Sequence, residues 1–338
     1  MTVWRERTGW AVALGGLVVL MVVSLGLGRY RVPPSELLSV LLGRDGGMPD
    51  AQRALLHAIV LATRLPRVAG AVIVGAALSV SGAGFQAVFR NPLVSPGLLG
   101  VLAGAGFGAA FGIVAGASPM GLHLLSFAGG AVAVVAAVGV ARLFDAASML
   151  MLVFGGLVST ALFTALLSLL KYVADPDKQL PDIVFWLLGS LTQVTGADLG
   201  VMAGPVAVGI VGLTLCGRML DALAMGDDEA RTLGVPVEAL RYGVIAAATV
   251  LSAVTVSVAG MIGWVGLIVP HVARLLAGPC NARVLPLSAC LGGAFLLVCD
   301  DLARCVSVEE IPVGLVADLF GVGVFLSVLR LIRRGWVE

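Results

Sequence analysis

Residues 64–100 read RLPRVAGAVIVGAALSVSGAGFQAVFRNPLVSPGLLG. The middle of this stretch is apolar enough to cross a bilayer, yet arginines stand at both ends and glycine, alanine and serine crowd the centre. A helix that only anchored a protein could be plain leucine and valine. The small residues and the bracketing arginines therefore need a reason, and the rest of the chain supplies the setting for it.

The chain has 338 residues, 59% of them hydrophobic and 12% charged, with a mean hydropathy of +1.06. Soluble domains carry roughly 25% charged residues, so this composition points to lipid as the solvent. Apolar runs of about 20 residues, the length that crosses roughly 30 Å of hydrocarbon, lie end to end from Gly9 to Ile332. The runs lack period-2 alternation, which excludes a closed barrel. The expected fold is all-α and polytopic, one transmembrane domain over 1–338.

Glycine occurs 45 times, about twice its usual ~7%. Between helices in lipid the hydrophobic drive is small, and close backbone approach through small residues supplies the packing. Tightly packed, sliding helices are the expectation. The net charge of +1 and the absence of a long basic run give no sign of nucleic acid. Cys216, Cys280, Cys290, Cys299 and Cys305 form no CxxC and read as small apolar side chains, while His57, His123 and His271 are too scattered for a metal site. The start, MTVWRERTGW before an apolar run, resembles a signal peptide but lacks an A-x-A cleavage site, so a retained first span is expected.

Ten helices are expected, at about 9–28, 66–87, 95–115, 122–142, 150–172, 198–217, 241–259, 261–276, 284–303 and 311–332. An even number puts both termini on one side, and Arg5, Arg7, Arg330, Arg333 and Arg334 place that side in the cytoplasm. The cytoplasmic side then holds 12 Lys/Arg and the outer side 9, six of which fall between Arg29 and Arg67. Insertion disfavours such an outer cluster, so something else must select it.

Two polar loops stand out. YVADPDKQLP at 172–181 lies outside and leads, within a 173–197 outer segment, into IVFWLLGSL, which is too short to span. Inside, 226–241 holds GDDEARTLGVPVEALR. Asp227, Asp228 and Glu229 sit where a helix N-terminus favours negative charge, and Asp227 and Arg231 are i,i+4 neighbours. Gly234 stops the first short helix and Pro236 can open a second at its first position. Caps this explicit suggest a firm knob, a docking surface rather than a plain linker.

No catalytic constellation is present. GxSxG, HExxH and the Walker A sequence GxxxxGK[ST] are all missing, and the two lysines, Lys171 and Lys178, are in the outer loop. Energy from ATP would have to come from a second polypeptide. An ion-coupled carrier is the competing class, and it usually leaves ionisable residues near the midplane. The spans are expected to be nearly free of charge, with Asp318 the exception, about 10 Å into the last helix. A non-transporting scaffold is a third class.

The motifs RLPR at 64–67, GAALSVSGAGFQ at 75–86, RNPLVSPGLLG at 90–100, FWLLGSL at 185–191, GWVGLIVPHVARLL at 263–276 and EIPVGLVADLFGVGVFL at 310–326 resemble, in order and spacing, the permeases of bacterial ABC importers for iron–siderophore complexes, haem and cobalamin. The resemblance runs from Arg64 to near the C-terminus. It implies a type II importer fold of ten helices per subunit. Its partners would be a second copy of the chain, two ATP-binding-cassette ATPase subunits and a periplasmic substrate-binding protein. No cofactor or metal would be held by this chain, and ATP and Mg would bind the partner ATPase.

The resemblance also implies residue roles. Arg64 and Arg67 of RLPR, and Arg304 before the last helix, match arginines that pair with glutamates of the binding protein, for which guanidinium is chemically suited. Gly226, Asp227, Asp228, Glu229, Arg231, Leu233 and Gly234 match the coupling helices that sit in the ATPase. Asn91 and Leu93 match a cytoplasmic gate, with Ser148 near its other segment. The family usually has a threonine and a small residue where Ala317 and Asp318 stand, and Gly323 replaces a common proline. Asp318 is therefore either a cavity residue that tunes the cargo or a structural partner of a neighbouring helix, near Arg304. The 172–191 region is more similar to iron-chelate members than to cobalamin members. An iron chelate is the expected cargo, with cobalamin, molybdate or another metal complex as the alternative, at the bacterial inner membrane.

Overall fold

A computed structural model describes residues 6–144, 149–307 and 309–334. The first span is α1 (Glu6–Gly26), of which only 11% of the apolar window is buried, so most of its surface faces away from the protein. Two short helices follow, α2 (Pro34–Leu41) and α3 (Asp50–His57), each opened by a proline whose fixed φ suits a helix start. A π-helical stretch, Ala58–Arg64, then runs directly into α4 (Leu65–Phe89). The second span thus begins at Asp50, well before the expected 66. Pro66 lies in the first turn of α4, where a missing N–H is tolerated.

After α4 the chain turns at Arg90, in the left-handed region at φ 48°. A short 3₁₀ helix, Pro96–Leu99, and Gly100 at φ 85° lead into α5 (Val101–Val114). The expected helix 95–115 is therefore two pieces, because Pro96 and the left-handed Gly100 interrupt it. The following long helices are α6 (Pro119–Phe144) and α7 (Met149–Val173), then the short α8 (Gln179–Leu187) and the long α9 (Gly196–Leu215). A capping box opens α9: Thr195 Oγ1 accepts from Asp198 N, and Asp198 Oδ2 accepts from Thr195 N.

The loop at 216–236 forms α10 (Gly217–Met225) and α11 (Asp227–Thr232), ahead of α12 (Val237–Ala259). Gly234 stops α11 at φ 79°, as expected. Pro236, however, caps the long α12 rather than opening a second short helix, and the second helix of the knob is instead α10. Residues 260–264 leave helical pairing, with Gly260 at φ 71° and Trp264 at φ 61°, before α13 (Val265–Ala277). The span expected at 261–276 is shortened by that extended segment. The chain ends in α14 (Asn281–Cys305) and α15 (Val313–Arg334).

Among the described residues seven helices are long and apolar enough to cross a membrane, and three shorter apolar helices, α5, α13 and the 313–327 part of α15, complete the ten apolar segments. The core is built around α4, whose window is 83% buried and which packs on α9, α12, α13 and α14. The small residues of the quoted stretch explain that position. A Cβ on Gly82 would stand 1.8 Å from the Gly266 carbonyl oxygen of α13, and one on Gly75 would stand 2.2 Å from that of Gly292 in α14. Backbone meets backbone at both places, the packing expected of helices with little hydrophobic drive between them. Ser81 Oγ lies 2.7 Å from both the Ala248 carbonyl and Ser252 Oγ of α12, so a small polar residue serves a third contact.

Candidate functional site

The bundle has a loop end, with segments 27–49, 174–195 and 309–312, and a knob end, with segments 90–100 and 216–236. α4 joins the two, and each of its ends carries an arginine in an ionic cluster.

At the loop end Arg64, Arg67 and Arg304 are 7, 6 and 5% exposed. All three are buried, and each guanidinium is engaged inside the chain. Arg64 Nη1 and Nη2 donate to the carbonyls of Leu25 (2.8 Å) and Tyr30 (2.5 Å), pinning the loop after α1. Arg67 Nε donates to both carboxylate oxygens of Asp300 (2.9 and 3.1 Å), and its Nη1 donates to Glu310 Oε2 at 2.6 Å. Arg304 bonds to Asp301 and donates to Ser24 Oγ (2.7 Å), and its Nε lies 3.2 Å from Asp300 Oδ2 without hydrogen-bond alignment. Arg67 of α4 and Arg304 of α14 thus close on three carboxylates, Asp300, Asp301 and Glu310, with Arg64 bonded to backbone beside them.

Asp300 and Asp301 lie inside α14, so the expectation that spans other than the last are nearly free of charge does not hold. Sequence reasoning missed both. Their signal was local, an acidic pair three and four residues before Arg304, the spacing that puts opposite charges on one helix face.

At the knob end the gate candidates Asn91 and Leu93 form one tight turn: Leu93 N donates to Asn91 Oδ1 at 2.9 Å, and Leu93 is 61% exposed. Ser148 lies outside the described residues. Next to Asn91, Arg90 bonds to Asp227 at the start of α11, and Arg241 Nη2 of α12 donates to the other Asp227 oxygen at 2.8 Å. Asp227 therefore ties the gate turn, the knob and α12 together. Its carboxyl is pushed up by partial burial, but hydrogen bonds and charge from Arg241 and then Arg90 outweigh that and hold it below the usual carboxylate value.

The expected Asp227–Arg231 pair is replaced. Arg231 donates to Asp228 (3.0 Å) and Glu238 (2.9 Å), because Asp227 points back toward the two other arginines. Gly226, at φ 142°, leaves room for the Glu229 carboxylate, whose Oε2 would stand 1.9 Å from a Cβ there. Asp221 of α10 accepts from Asn281 N (2.6 Å) and Nδ2 (2.9 Å), so the knob is also fastened to the first turn of α14. Met225 and Leu233 stay exposed, an apolar rim on a polar knob. Arg90 was read from sequence only as one more inner charge, since its partner is 137 positions away.

Asp318 stands beside the extended segment: a Cβ on Gly263 would be 2.7 Å from its Oδ1, which has no hydrogen-bond partner among the described residues. Pairing near Arg304 is not what the structure shows, as that guanidinium is occupied by α14 carboxylates and Ser24.

This arrangement holds no nucleophile–base pair. It is built to connect a knob to a turn through one helix and to hold the far end of that helix firmly. The FecCD transport family profile matches residues 16–331. The chain is 36% identical over 324 residues, 94% of each chain, to the molybdate import system permease protein MolB of Haemophilus influenzae. It is 35% identical to the hemin transport system permease protein HmuU of Yersinia pestis, over 93% of each chain. A solved inward-facing transporter, provisionally assigned to the metal-chelate ABC type, superposes with a TM-score of 0.84 at 34% identity, covering 94% of this chain and 97% of that one.

Proposed function

The chain belongs to the FecCD transport family, and on that premise we propose that it imports an iron chelate, a siderophore complex or haem, across the bacterial inner membrane. It is the permease subunit of an ABC importer and not itself an ATPase. Such permeases bind no cofactor, and ATP is bound by the partner ATPase. In our reading 1–338 is one permease domain that pairs with a second copy of itself, with both termini and the knob in the cytoplasm and the loop end in the periplasm.

The observation that carries the mechanism is the Asp227 bridge. When the ATPase moves the knob at 226–234, Asp227 passes that displacement to Arg90, and so to the turn of Asn91 and Leu93, and to α12 through Arg241. Exposed Met225 and Leu233 supply the apolar contact with the ATPase, and Ser148 completes the gate. Arg64, Arg67 and Arg304 serve binding-protein docking by holding the loops at 25–30 and 309–312 in position. Asp318, with a free carboxylate oxygen beside 260–264, faces the cargo path.

The iron-chelate reading is supported by the similarity of 172–191 to iron-chelate members and by relatives such as the hemin permease of Yersinia pestis. Molybdate is the second reading, carried by the likeness to MolB. The test is uptake into vesicles holding the permease, its ATPase and its binding protein, offered ferric siderophore, haem, cobalamin or molybdate. ATP-dependent uptake of an iron chelate is expected. Uptake of molybdate or cobalamin alone would overturn the cargo, and gradient-driven uptake without ATP would overturn the mechanism.

A further inference from the structure

Of the six arginines between Arg29 and Arg67, the structure engages three inside the chain. Arg64 and Arg67 are buried and bonded as described, and Arg53 pairs with Asp50. Arg29, Arg31 and Arg44 remain exposed, without a carboxylate partner among the described residues. Two of these, Arg29 and Arg31, border a cavity of about 1020 Å³ between the end of α1, the following loop and the end of α14.

That cavity has a particular chemistry. Its described lining includes three arginines, Arg29, Arg31 and Arg304, and no acidic residue. Arg304 borders the cavity from a buried position, 5% exposed and bonded to Asp301 and Ser24. Most of the remaining wall is apolar, with Val23, Leu27 and Val32 among it. The wall also continues into the exposed face of α1, where Val19, Val22 and Val23 are open to the membrane. Arg64 fixes the shape from behind, since its guanidinium fills the space beside Gly28.

We propose that this cavity binds an anionic phospholipid, with the phosphate held by Arg29 and Arg31 and an acyl chain laid along α1. Guanidinium suits phosphate because it offers parallel donors in a fixed plane. The volume lies at the upper end of the range that holds a small ligand. An acidic patch on a soluble partner would satisfy the charges but would leave the apolar wall on α1 to the lipid, so the wall favours a molecule with a tail. The site also gives the arginines a role that offsets the disfavoured charge at that end.

The test uses the full chain in nanodiscs of phosphatidylcholine, with or without phosphatidylglycerol, and native mass spectrometry of retained lipid. Wild type should retain phosphatidylglycerol in preference to phosphatidylcholine. The double variant Arg29→Ala, Arg31→Ala, on exposed positions, should lose that preference by about fivefold per arginine. Val23→Trp, which fills the apolar wall and leaves the charges, should lower retention as well. Equal retention of the two lipids by wild type, or an unchanged preference in the double variant, would overturn the proposal. So would displacement of the lipid by inorganic phosphate alone, which would mark a simple anion site. A double variant that keeps its lipid but loses the binding protein would make this face a protein-docking surface instead.

Discussion

Arg67 and Arg90 stand at opposite ends of α4, roughly 35 Å apart at 1.5 Å per residue, and they hold carboxylates under opposite conditions. The Arg67–Asp300 pair is sealed, its side chains 7% and 0% exposed, with Glu310 at its rim. The Arg90–Asp227 pair is half open, at 39% and 31%, with Arg241 buried behind it. A sealed cluster is difficult to exchange, because removing one member strands the others away from water. An open cluster is screened and can trade partners. The same residue types therefore make a fixed joint at one end of the helix and a releasable one at the other, the second being where a moving partner would act.

The largest expected effect breaks the fixed joint. Asp300→Ala leaves Arg67 and Arg304 short of a buried counter-charge and should cost about 3–5 kcal/mol, read as a lower unfolding temperature in detergent. A loss no greater than that of Asp227→Ala would erase the contrast between the two ends. Next in size is a change in the rod between them. Gly82→Ala puts a methyl into the Gly266 carbonyl and should cost about 1–3 kcal/mol by overpacking. Gly139→Ala on α6, with nothing within 4 Å, is the matched control and should be near neutral.

Asp227→Asn should leave the unfolding temperature nearly unchanged while lowering ATP-driven uptake several-fold with ATP hydrolysis retained. Parallel loss of both activities would argue against the bridge as a transmission element. The same group sets a pH dependence. Its carboxyl is held below the ordinary value, so its contribution is fully present above the unfolded value near 3.9 and is lost as pH falls through the folded one. Hydrogen-exchange protection in α11 should therefore stay flat through neutral pH and decline only below about pH 4. A decline near pH 6 would assign it to a different group. Smallest of all, Arg231→Ala should leave the unfolding temperature as it was, since its partners Asp228 and Glu238 are solvent-exposed.

Much of this molecule is legible in local pattern. The ten apolar segments, the stop at Gly234 and the acidic first turn of α11 follow from hydropathy, glycine conformation and helix-end charge. What the sequence does not announce is pairing across it. Arg67 and Asp300 are 233 positions apart, and Arg90 and Asp227 137. RLPR therefore reads, by resemblance, as a docking motif for another protein, while its partners inside the chain do not show. The interruptions at 96–100 and 260–264 were hidden for a related reason: hydropathy continues through them while the backbone does not.

The glycine contacts of α4 have a mechanical consequence. Turning α4 about its axis by one residue would bring the Cβ of Ser81 or Ala83 to the place where even a methyl on Gly82 cannot fit against Gly266. The fit works as a key in a keyway, and Gly75 against Gly292, two turns earlier on the same side of the shaft, cuts a second slot. Rotation of α4 against α13 and α14 would therefore meet backbone at both slots, and bending is left to the places where the chain is not a helix, at Arg90 and along 260–264.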